Sequence, residues 1–358
     1  ILGSIDLKYD FDRVAKGLSV RALGTIAVQN KSVTNRTMRS PVYLYSEVDG
    51  KPGYSMFGSV SSQTNTYTAV STYQQMYGQL SVDYERQFDL HHLKASLSGD
   101  TRQELINYDL PRIPSNVMQT MGYDYDKKYF VQLAMTESYY NRYAENKRWG
   151  TFYAAGLGWD ISRENFMDGT NDWLDQLKLR AVYGRTGNGI DNTGYYTYYQ
   201  TYENNAASWY SMGTSQGQFR TTYESALANP YITWEKANKV NVGIDAQLFN
   251  GRLSIAADYY NDKYFDLLQA RGKSIEIIGQ SYPAENIGKQ RRTGVELQAT
   301  WQDNIADFNY FITANWSMED SKILFMDEQN QPYDYLRQTG RAGNAMFGYI
   351  CDGFFSSD

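Results

Sequence analysis

Few residues of this chain could carry catalytic or metal chemistry, and they do not form a recognisable set. The two histidines, His91 and His92, are adjacent. Neighbouring side chains on a strand point to opposite faces, so we predict that this pair is solvated in a turn and does not share a metal ion. No nucleophile or orienting acid stands at a recognisable spacing from either histidine. The sequence therefore predicts no metal site, no Ser-His-Asp set and no Cys-His set.

Two further groups of residues also have simpler readings than catalysis. Gly184, Gly187 and Gly189 faintly resemble a phosphate loop, but no helical pattern or Lys-Ser/Thr pair follows, which favours a strand-end loop. Asp245 and Asp258 could pair as general acid and base. However, charges recur on the polar side of every predicted strand, which favours the lining of a water-filled space. We therefore predict no enzyme and no bound cofactor.

A tyrosine-rich segment is the strongest candidate for ligand binding. Its aromatic residues are Tyr195, Tyr196, Tyr198, Tyr199, Tyr202, Trp209 and Tyr210. Flat rings combined with amides and hydroxyls suit stacking on sugar rings or contact with peptide backbones. The alternative is that these rings pack the loop against its neighbours or against a partner protein.

Hydrophobicity alternates with a period of two through nearly the whole chain. This pattern predicts β-strands, and those strands must hold the tyrosine-rich segment in place. A clear run alternates the apolar residues Val295, Leu297, Ala299 and Trp301 with the polar residues Glu296, Gln298, Thr300 and Gln302. Successive side chains of a strand point to opposite faces, so each run predicts a strand with one apolar and one polar face. The residues predicted to line a lumen are Asp245, Asp258, Glu296 and Gln298.

About twelve strands are predicted, joined alternately by short and long connections. Asn250-Gly251 is the clearest short hairpin turn, and the long loops are predicted over 29–73, 106–118 and 266–288. An up-and-down barrel in a membrane needs this order, because its turns lie on one side and its loops on the other.

Aromatic residues near the predicted strand ends favour the same architecture. Trp159 and Trp301 stand beside short turns, and Tyr259 and Trp316 stand towards long loops, as expected for two interfacial girdles. The fold class is therefore predicted to be all-β, a transmembrane up-and-down antiparallel β-barrel. A passive porin or adhesin-like barrel and a soluble β-sandwich or lectin-like protein are the rival classes.

Composition agrees with this prediction and excludes some partners. Of 358 residues 33 are tyrosine, whose ring and hydroxyl suit an interface between apolar and wet surroundings. The net charge of −6 argues against nucleic acid, which requires a basic face. A mean hydropathy of −0.60 does not argue against membrane strands, because these are apolar only at every second residue.

Several segments, taken in order over residues 120–354, resemble the SusC/RagA family of TonB-dependent outer-membrane transporters of Bacteroidota. Each is weak alone, and their order makes the resemblance specific. The segments begin with Gly158-Trp-Asp-Ile-Ser, Asn165-Phe-Met, Leu177-Lys-Leu-Arg-Ala-Val-Tyr-Gly-Arg-Thr-Gly-Asn188 and Ala228-Asn-Pro-Tyr-Ile-Thr-Trp-Glu-Lys236. They continue with Asn241-Val-Gly-Ile-Asp245, Phe249-Asn-Gly-Arg-Leu253, Asp258-Tyr-Tyr-Asn261, Asn286-Ile-Gly, Arg292-Thr-Gly-Val-Glu-Leu297, Gly348-Tyr and Asp352-Gly-Phe354.

The resemblance implies a larger protein with defined partners. It implies a barrel of roughly 22 strands closed by an N-terminal plug. Residues 1–358 would be an internal part of one barrel domain, without the plug and the C-terminal strands. The implied partners are a SusD-like surface lipoprotein, TonB with ExbB and ExbD, outer-membrane lipid, and an oligosaccharide or oligopeptide cargo. A siderophore- or cobalamin-type receptor without a lid is the neighbouring alternative.

Overall fold

The computed structural model describes residues 1–107, 109–170, 172–189, 194–214, 217–225, 227–272, 282–351 and 353. Sixteen strands are present in this part of the chain. They are β1 (Leu2–Asp10), β2 (Leu18–Thr37), β3 (Val42–Val48), β4 (Lys51–Phe57), β5 (Thr64–Phe88), β6 (His91–Ile106), β7 (Pro114–Tyr125), β8 (Tyr129–Tyr140), β9 (Trp149–Asp160), β10 (Leu174–Asn188), β11 (Tyr202–Met212), β12 (Gly217–Glu224), β13 (Glu235–Leu248), β14 (Leu253–Gln269), β15 (Glu285–Ile305) and β16 (Phe308–Phe325).

Twelve of these strands form one antiparallel sheet, as the alternation predicts. Its order is β1-β2-β5-β6-β7-β8-β9-β10-β13-β14-β15-β16, so strands that follow each other within the sheet are neighbours. The remaining strands form two hairpins, β3-β4 and β11-β12, which lie within long connections. The short 3-10 helices in the described ranges are Glu145–Lys147, Ile161–Arg163, Asn165–Thr170 and Asp334–Leu336. None of the helices in the described ranges is long and apolar enough to cross a membrane.

The connections divide the sheet into two ends. Short turns such as 89–90, 249–252 and 306–307 join strands at the first end, which we call the turn end. Phe249, Asn250 and Gly251 all have positive φ angles, a conformation that Asn and Gly adopt readily, so the predicted hairpin at Asn250-Gly251 is confirmed. Long connections leave the opposite end, which we call the loop end.

The predicted long loop over 29–73 is wrong in most of its length, and the one over 106–118 is wrong over 114–118. β2 continues to Thr37 and β5 starts at Thr64, with Thr37 paired to Thr64 at the top of this extension. Residues 29–37 are polar on both faces, so they lack the apolar alternation that marks a half-buried strand. β7 starts at Pro114, which is possible because the first residue of a strand can be a proline. Of the predicted loop 266–288, residues 273–281 lie outside the described ranges, and β15 already begins at Glu285.

The pairing register aligns side chains of one kind on each face of the sheet. One row crosses six strands on the apolar face and consists of Trp159, Leu179, Ile244, Ala257, Leu297 and Trp316. Leu297 and Trp316 are 41% and 54% exposed, so protein does not cover this face. Such a wide exposed apolar surface fits contact with lipid. Because Tyr259 and Trp316 lie well inside β14 and β16, their predicted position at strand ends is wrong.

The four residues predicted to line a lumen share the opposite, polar face. Asp258 pairs with Gly243 and Glu296, while Asp245 pairs with Ala256, which in turn pairs with Gln298. Residues two positions apart on a strand point to the same face. The row through Asp258 and the row through Asp245 therefore lie on the same polar face.

Candidate ligand-binding site

A buried aromatic cluster lies on the polar face of the sheet, near the loop end. It consists of Tyr140, Tyr143, Phe152, Ile232 and Trp234, with Leu268 packed against it. The ring centroids of Phe152 and Tyr143 lie 5.5 Å and 5.8 Å from that of Trp234, in edge-to-face geometry. These are favourable aromatic contacts, so the cluster forms a small hydrophobic core on a face that is otherwise polar.

Two of the glycines considered for a phosphate loop, Gly187 and Gly189, make room for this cluster. A Cβ atom on Gly187 would lie 1.9 Å from the Phe152 ring, and one on Gly189 would lie 3.3 Å from Trp234. Gly184 and Gly187 belong to β10, and Gly189 follows its last residue. The predicted strand-end loop is therefore wrong for Gly184 and Gly187, which lie within the strand, where a glycine allows close packing.

Two asparagines hold the segment that carries Trp234. The Asn229 side chain donates to the Ala284 carbonyl at 2.7 Å and accepts from the Tyr231 amide at 2.9 Å. The Asn286 amide donates to Thr233 and Asp266 carbonyls at 2.9 Å and 2.7 Å, and accepts from the Thr233 amide. Asn229 and Asn286 belong to the segments that carry the family resemblance. Their hydrogen bonds satisfy backbone groups that a loop folded into the sheet would otherwise leave unpaired.

A cavity of about 210 Å³ lies at the loop end, where three neighbouring connections meet. Its lining residues are Leu110, Pro111, Asn141, Arg142, Arg148, Tyr195, Tyr196 and Tyr198. They come from the connections β6-β7, β8-β9 and β10-β11. Three of the seven predicted ligand-binding aromatics therefore line one concave site.

Contacts between the connections fix the shape of this cavity. The Tyr195 hydroxyl donates to the Leu110 carbonyl, and the Arg142 guanidinium lies 4.1 Å from the centre of the Tyr195 ring. The Asn141 amide donates to the Pro111 carbonyl at 2.9 Å, while its oxygen accepts from the Ile113 amide at the same distance. The cavity is thus formed before any ligand arrives.

Two guanidinium groups make the cavity cationic. Arg142 is 8% exposed, and its lining partner Arg148 is half-buried. Arg148 donates from Nε to the Tyr143 carbonyl at 3.0 Å and also hydrogen-bonds the Tyr198 hydroxyl. Burial alone would lower the pKa of Arg148. The hydrogen bond with Tyr198 and the nearby negative groups together raise this pKa by more, so it lies above its usual value. Within the part of the chain that the structure describes, none of the lining residues is a carboxylate.

Tyr199 and Tyr202 are not among the residues that line this cavity. The Tyr199 ring centroid lies 4.6 Å from that of Tyr198, and Tyr199 is 63% exposed. Tyr202 is equally exposed and starts the β11-β12 hairpin, where its hydroxyl approaches Glu224 at 3.5 Å. Trp209 and Tyr210 pair with Arg220 and Phe219 through their backbones, and their side chains lie outside the described part of the molecule.

An ion-pair network crosses three strands of the polar face below the cluster. Arg180 donates to both oxygens of Asp258 at 2.7 Å, and to the oxygens of Asp245 at 2.9 Å and 3.2 Å. Gly243 lies directly beneath, where an added Cβ would be 2.7 Å from both the Arg180 guanidinium carbon and Asp258. Paired with one arginine, the two carboxylates are not placed as an acid and a base, which leaves the lining role as the better interpretation.

The histidine pair lies at the start of β6, so its prediction as a solvated turn is wrong. The Nδ1 atom of His91 is 2.7 Å from the Tyr123 hydroxyl. The ring of His92 bridges Asp124 at 2.8 Å and Glu85 at 3.2 Å. The two rings engage separate partners, as expected for neighbours on a strand. Among the described residues, no group of histidine, cysteine and acidic side chains could hold a metal ion.

Arg142 and Arg148 are the site residues that the sequence did not indicate. They lie in a connection of eight residues without repeats, and Tyr195 is 85 residues from its partner Leu110. Only the order of the strands brings these connections together. A tyrosine-rich loop was a usable signal for half of the site, whereas the arginines carried none.

Together, a wide antiparallel sheet with one apolar and one polar face, and a cavity at its loop end, defines the wall of an outer-membrane β-barrel. The chain belongs to the TonB dependent receptor-like β-barrel family, whose model matches residues 4–354. This membership places the chain in the outer membrane and confirms the resemblance found in the sequence.

Relatives with curated names agree with the family. The chain is 30% identical over 247 residues to TonB-dependent receptor P39 of Formosa agariphila, covering 68% of this chain and 23% of the relative. It is 28% identical over 279 residues to TonB-dependent receptor SusC of Bacteroides thetaiotaomicron, covering 74% of this chain and 26% of the relative. The chain thus spans about a quarter of the length of these relatives.

Solved structures share the fold. The RagAB peptide importer in its closed-closed state superposes with a TM-score of 0.68 at 18% identity, covering 95% of this chain and 39% of that chain. The Escherichia coli outer membrane transporter YddB superposes with a TM-score of 0.52 at 10% identity, covering 90% and 42%. Both comparisons agree with an antiparallel barrel wall.

Proposed function

We propose that this chain forms part of the wall of a TonB-energised outer-membrane importer of oligomeric nutrients, oligosaccharides or oligopeptides. The observation that carries the proposal is the preformed cavity of aromatic and polar groups at the loop end, on the polar face of a membrane sheet. In this arrangement Asp245, Asp258, Glu296 and Gln298 line the lumen, and the tyrosine-rich loop contacts cargo at the lumen mouth.

The edges of the sheet support a larger barrel. Within the described residues, β1 and β16 each pair with one strand only. An open strand edge within the hydrocarbon leaves backbone N–H and C=O groups without partners, which membranes do not tolerate. Residues 1–358 are therefore proposed as part of one barrel domain, with a plug and further wall strands supplied by the rest of the polypeptide.

A partner lipoprotein belongs to the same proposal. The relative SusC and the RagAB peptide importer supply the precedent, and the long β2-β5 and β10-β13 connections supply an exposed surface at the loop end. A SusD-like lipoprotein would cover this end and hold cargo over the cavity. TonB, with ExbB and ExbD, would act from the turn end.

Native mass spectrometry of the full-length protein, extracted gently from the outer membrane, tests this proposal. We expect a stable complex with a lipoprotein, together with a ladder of bound small masses whose spacing distinguishes sugars from amino acids. A barrel that remains alone under conditions that preserve its fold would contradict the lidded importer. That outcome would favour a siderophore- or cobalamin-type receptor, or a passive porin-like barrel.

A further inference from the structure

From the charge and size of the loop-end cavity we infer that it binds a carboxylate group of the cargo, and that this group is a selected feature of the substrate. This inference rests on the proposed function and deepens it. The two sources of such a group in the proposed cargo classes are the C-terminus or acidic side chain of a peptide and the uronic acid of a glycan.

The charges lining the cavity favour an anion. Arg142 and Arg148 both contribute to its wall, and its other polar lining groups are the Asn141 amide and tyrosine hydroxyls. Arginine presents a planar fork of donors that matches both oxygens of a carboxylate. The chain as a whole carries a net charge of −6, so a cavity whose described lining holds two guanidinium groups and no carboxylate differs from the average surface.

The arginines are held in place by their surroundings. Arg142 packs against the Tyr195 ring, and Arg148 is fixed by its bonds to Tyr143 and Tyr198. Groups that are already ordered lose little conformational entropy when they bind a ligand. Burial of Arg142 also strengthens its electrostatic attraction for an anion, because the local dielectric constant is lower than in water.

The size of the cavity limits what can enter. Its volume of about 210 Å³ is below the roughly 300–1,000 Å³ of sites that enclose a whole drug-sized ligand. It therefore accommodates one terminal residue or one acidic substituent, while the remainder of an oligomer lies across the exposed rings of Tyr196 and Tyr199. The cavity would recognise one end or one branch of the cargo.

Equilibrium binding to the purified full-length protein, with its lipoprotein if one co-purifies, tests this inference. The probes are a hexapeptide with a free C-terminus, the same peptide as its C-terminal amide, trigalacturonate, and its methyl ester. We expect at least one acidic probe to bind about tenfold or more tightly than its neutral counterpart, which is the scale of a hydrogen bond to a charged group. The pair that shows the difference identifies the source of the carboxylate.

Variants assign the difference to the cavity. Arg142→Gln and Arg148→Gln should each remove most of the preference, whereas Arg148→Lys should retain part of it. Arg163→Gln is the matched control, because Arg163 lies at the turn end and is half exposed. Thermal unfolding of each variant distinguishes loss of binding from loss of fold, and half-buried Arg148 provides the test if the Arg142 variant does not fold.

Equal binding of acidic and neutral probes, no binding of any probe, or a preference that survives both glutamine variants would overturn the inference. These outcomes are separate from those of the proposed function. A lipoprotein complex without carboxylate preference would leave the importer standing and remove this inference. A barrel that purifies without a lipoprotein, but still prefers the acidic probes through Arg142 and Arg148, would support this inference and contradict the lidded importer.

Discussion

Trp234→Ala is expected to destabilise the full-length barrel by about 3–5 kcal/mol, the usual cost of removing a large aromatic side chain from a packed core. Trp234 is 6% exposed and contacts Tyr140, Tyr143 and Phe152. Its loss opens a cavity that cannot collapse easily, since the strands around it are held by backbone hydrogen bonds. Urea unfolding of the protein in detergent or lipid, followed by tryptophan fluorescence or by the mobility of folded barrel on gels, gives the change in free energy.

Tyr231→Ala is the matched control for this experiment. Tyr231 lies three residues earlier in the same segment, but its side chain is 76% exposed. Its removal should change the free energy of unfolding by less than about 0.5 kcal/mol, as for most exposed positions. If both substitutions cost the same, the aromatic cluster is not a core, and the cavity above it is not preformed.

Leu297→Arg is expected to cost about 2–4 kcal/mol of barrel stability, because its side chain lies on the apolar face near the middle of β15. Gln298→Arg, one residue further along β15, should cost little. Its side chain lies on the polar face, between Ala256 and Asn315 in the neighbouring strands. Both substitutions place the same charged side chain on the same strand.

Refolding titrations into lipid vesicles compare the two variants directly. Subtracting the change in unfolding free energy of one variant from that of the other cancels any effect of the strand itself, so that the effect of the face remains. Equal destabilisation by Leu297→Arg and Gln298→Arg would mean that lipid does not lie against the apolar face. A larger effect at Gln298 would mean that the two faces have been exchanged.

The sequence predicted the parts of the fold that depend on local patterns. Twelve antiparallel wall strands follow from the period of two, and the turn at Asn250-Gly251 follows from residues that accept positive φ angles. The shared polar face of Asp245, Asp258, Glu296 and Gln298 also follows from that period, since register shifts are absent between these positions.

The misplaced elements lack the sustained alternation of apolar and polar residues that marks a half-buried strand. The extension of β2 beyond Val28 and the β3-β4 hairpin are exposed on both faces, so hydrophobic alternation cannot reveal them. The β2 extension is stabilised by backbone pairing with β5. In the hairpin, β3 pairs with β4, and the Tyr45 and Tyr54 ring centroids lie 5.6 Å apart across the two strands. Pairing of this kind depends on a partner strand that the local sequence does not identify.

The site was predictable only in part for a related reason. The tyrosine-rich loop has a composition that indicates ligand contact, and Tyr195, Tyr196 and Tyr198 do line a cavity. Arg142 and Arg148 become neighbours of these rings because β8, β9 and β10 are adjacent in the sheet. The topology of the sheet determines which connections become neighbours of this kind, and the spacing of residues in the sequence does not predict them.

Cysteine accessibility along β15 tests most directly the claim that this sheet is a membrane wall with a wet lumen. Single cysteines would replace Val295, Leu297 and Ala299 on the apolar face, and Glu296, Gln298 and Thr300 on the polar face. The full-length protein would carry Cys351→Ser, because Cys351 is exposed and would react. Outer membranes would then be treated with a small, charged methanethiosulfonate reagent.

The account predicts labelling at the three polar-face positions and protection at the three apolar-face positions, where lipid excludes a charged reagent. Labelling that is uniform along the strand, or strongest at Val295, Leu297 and Ala299, would contradict it.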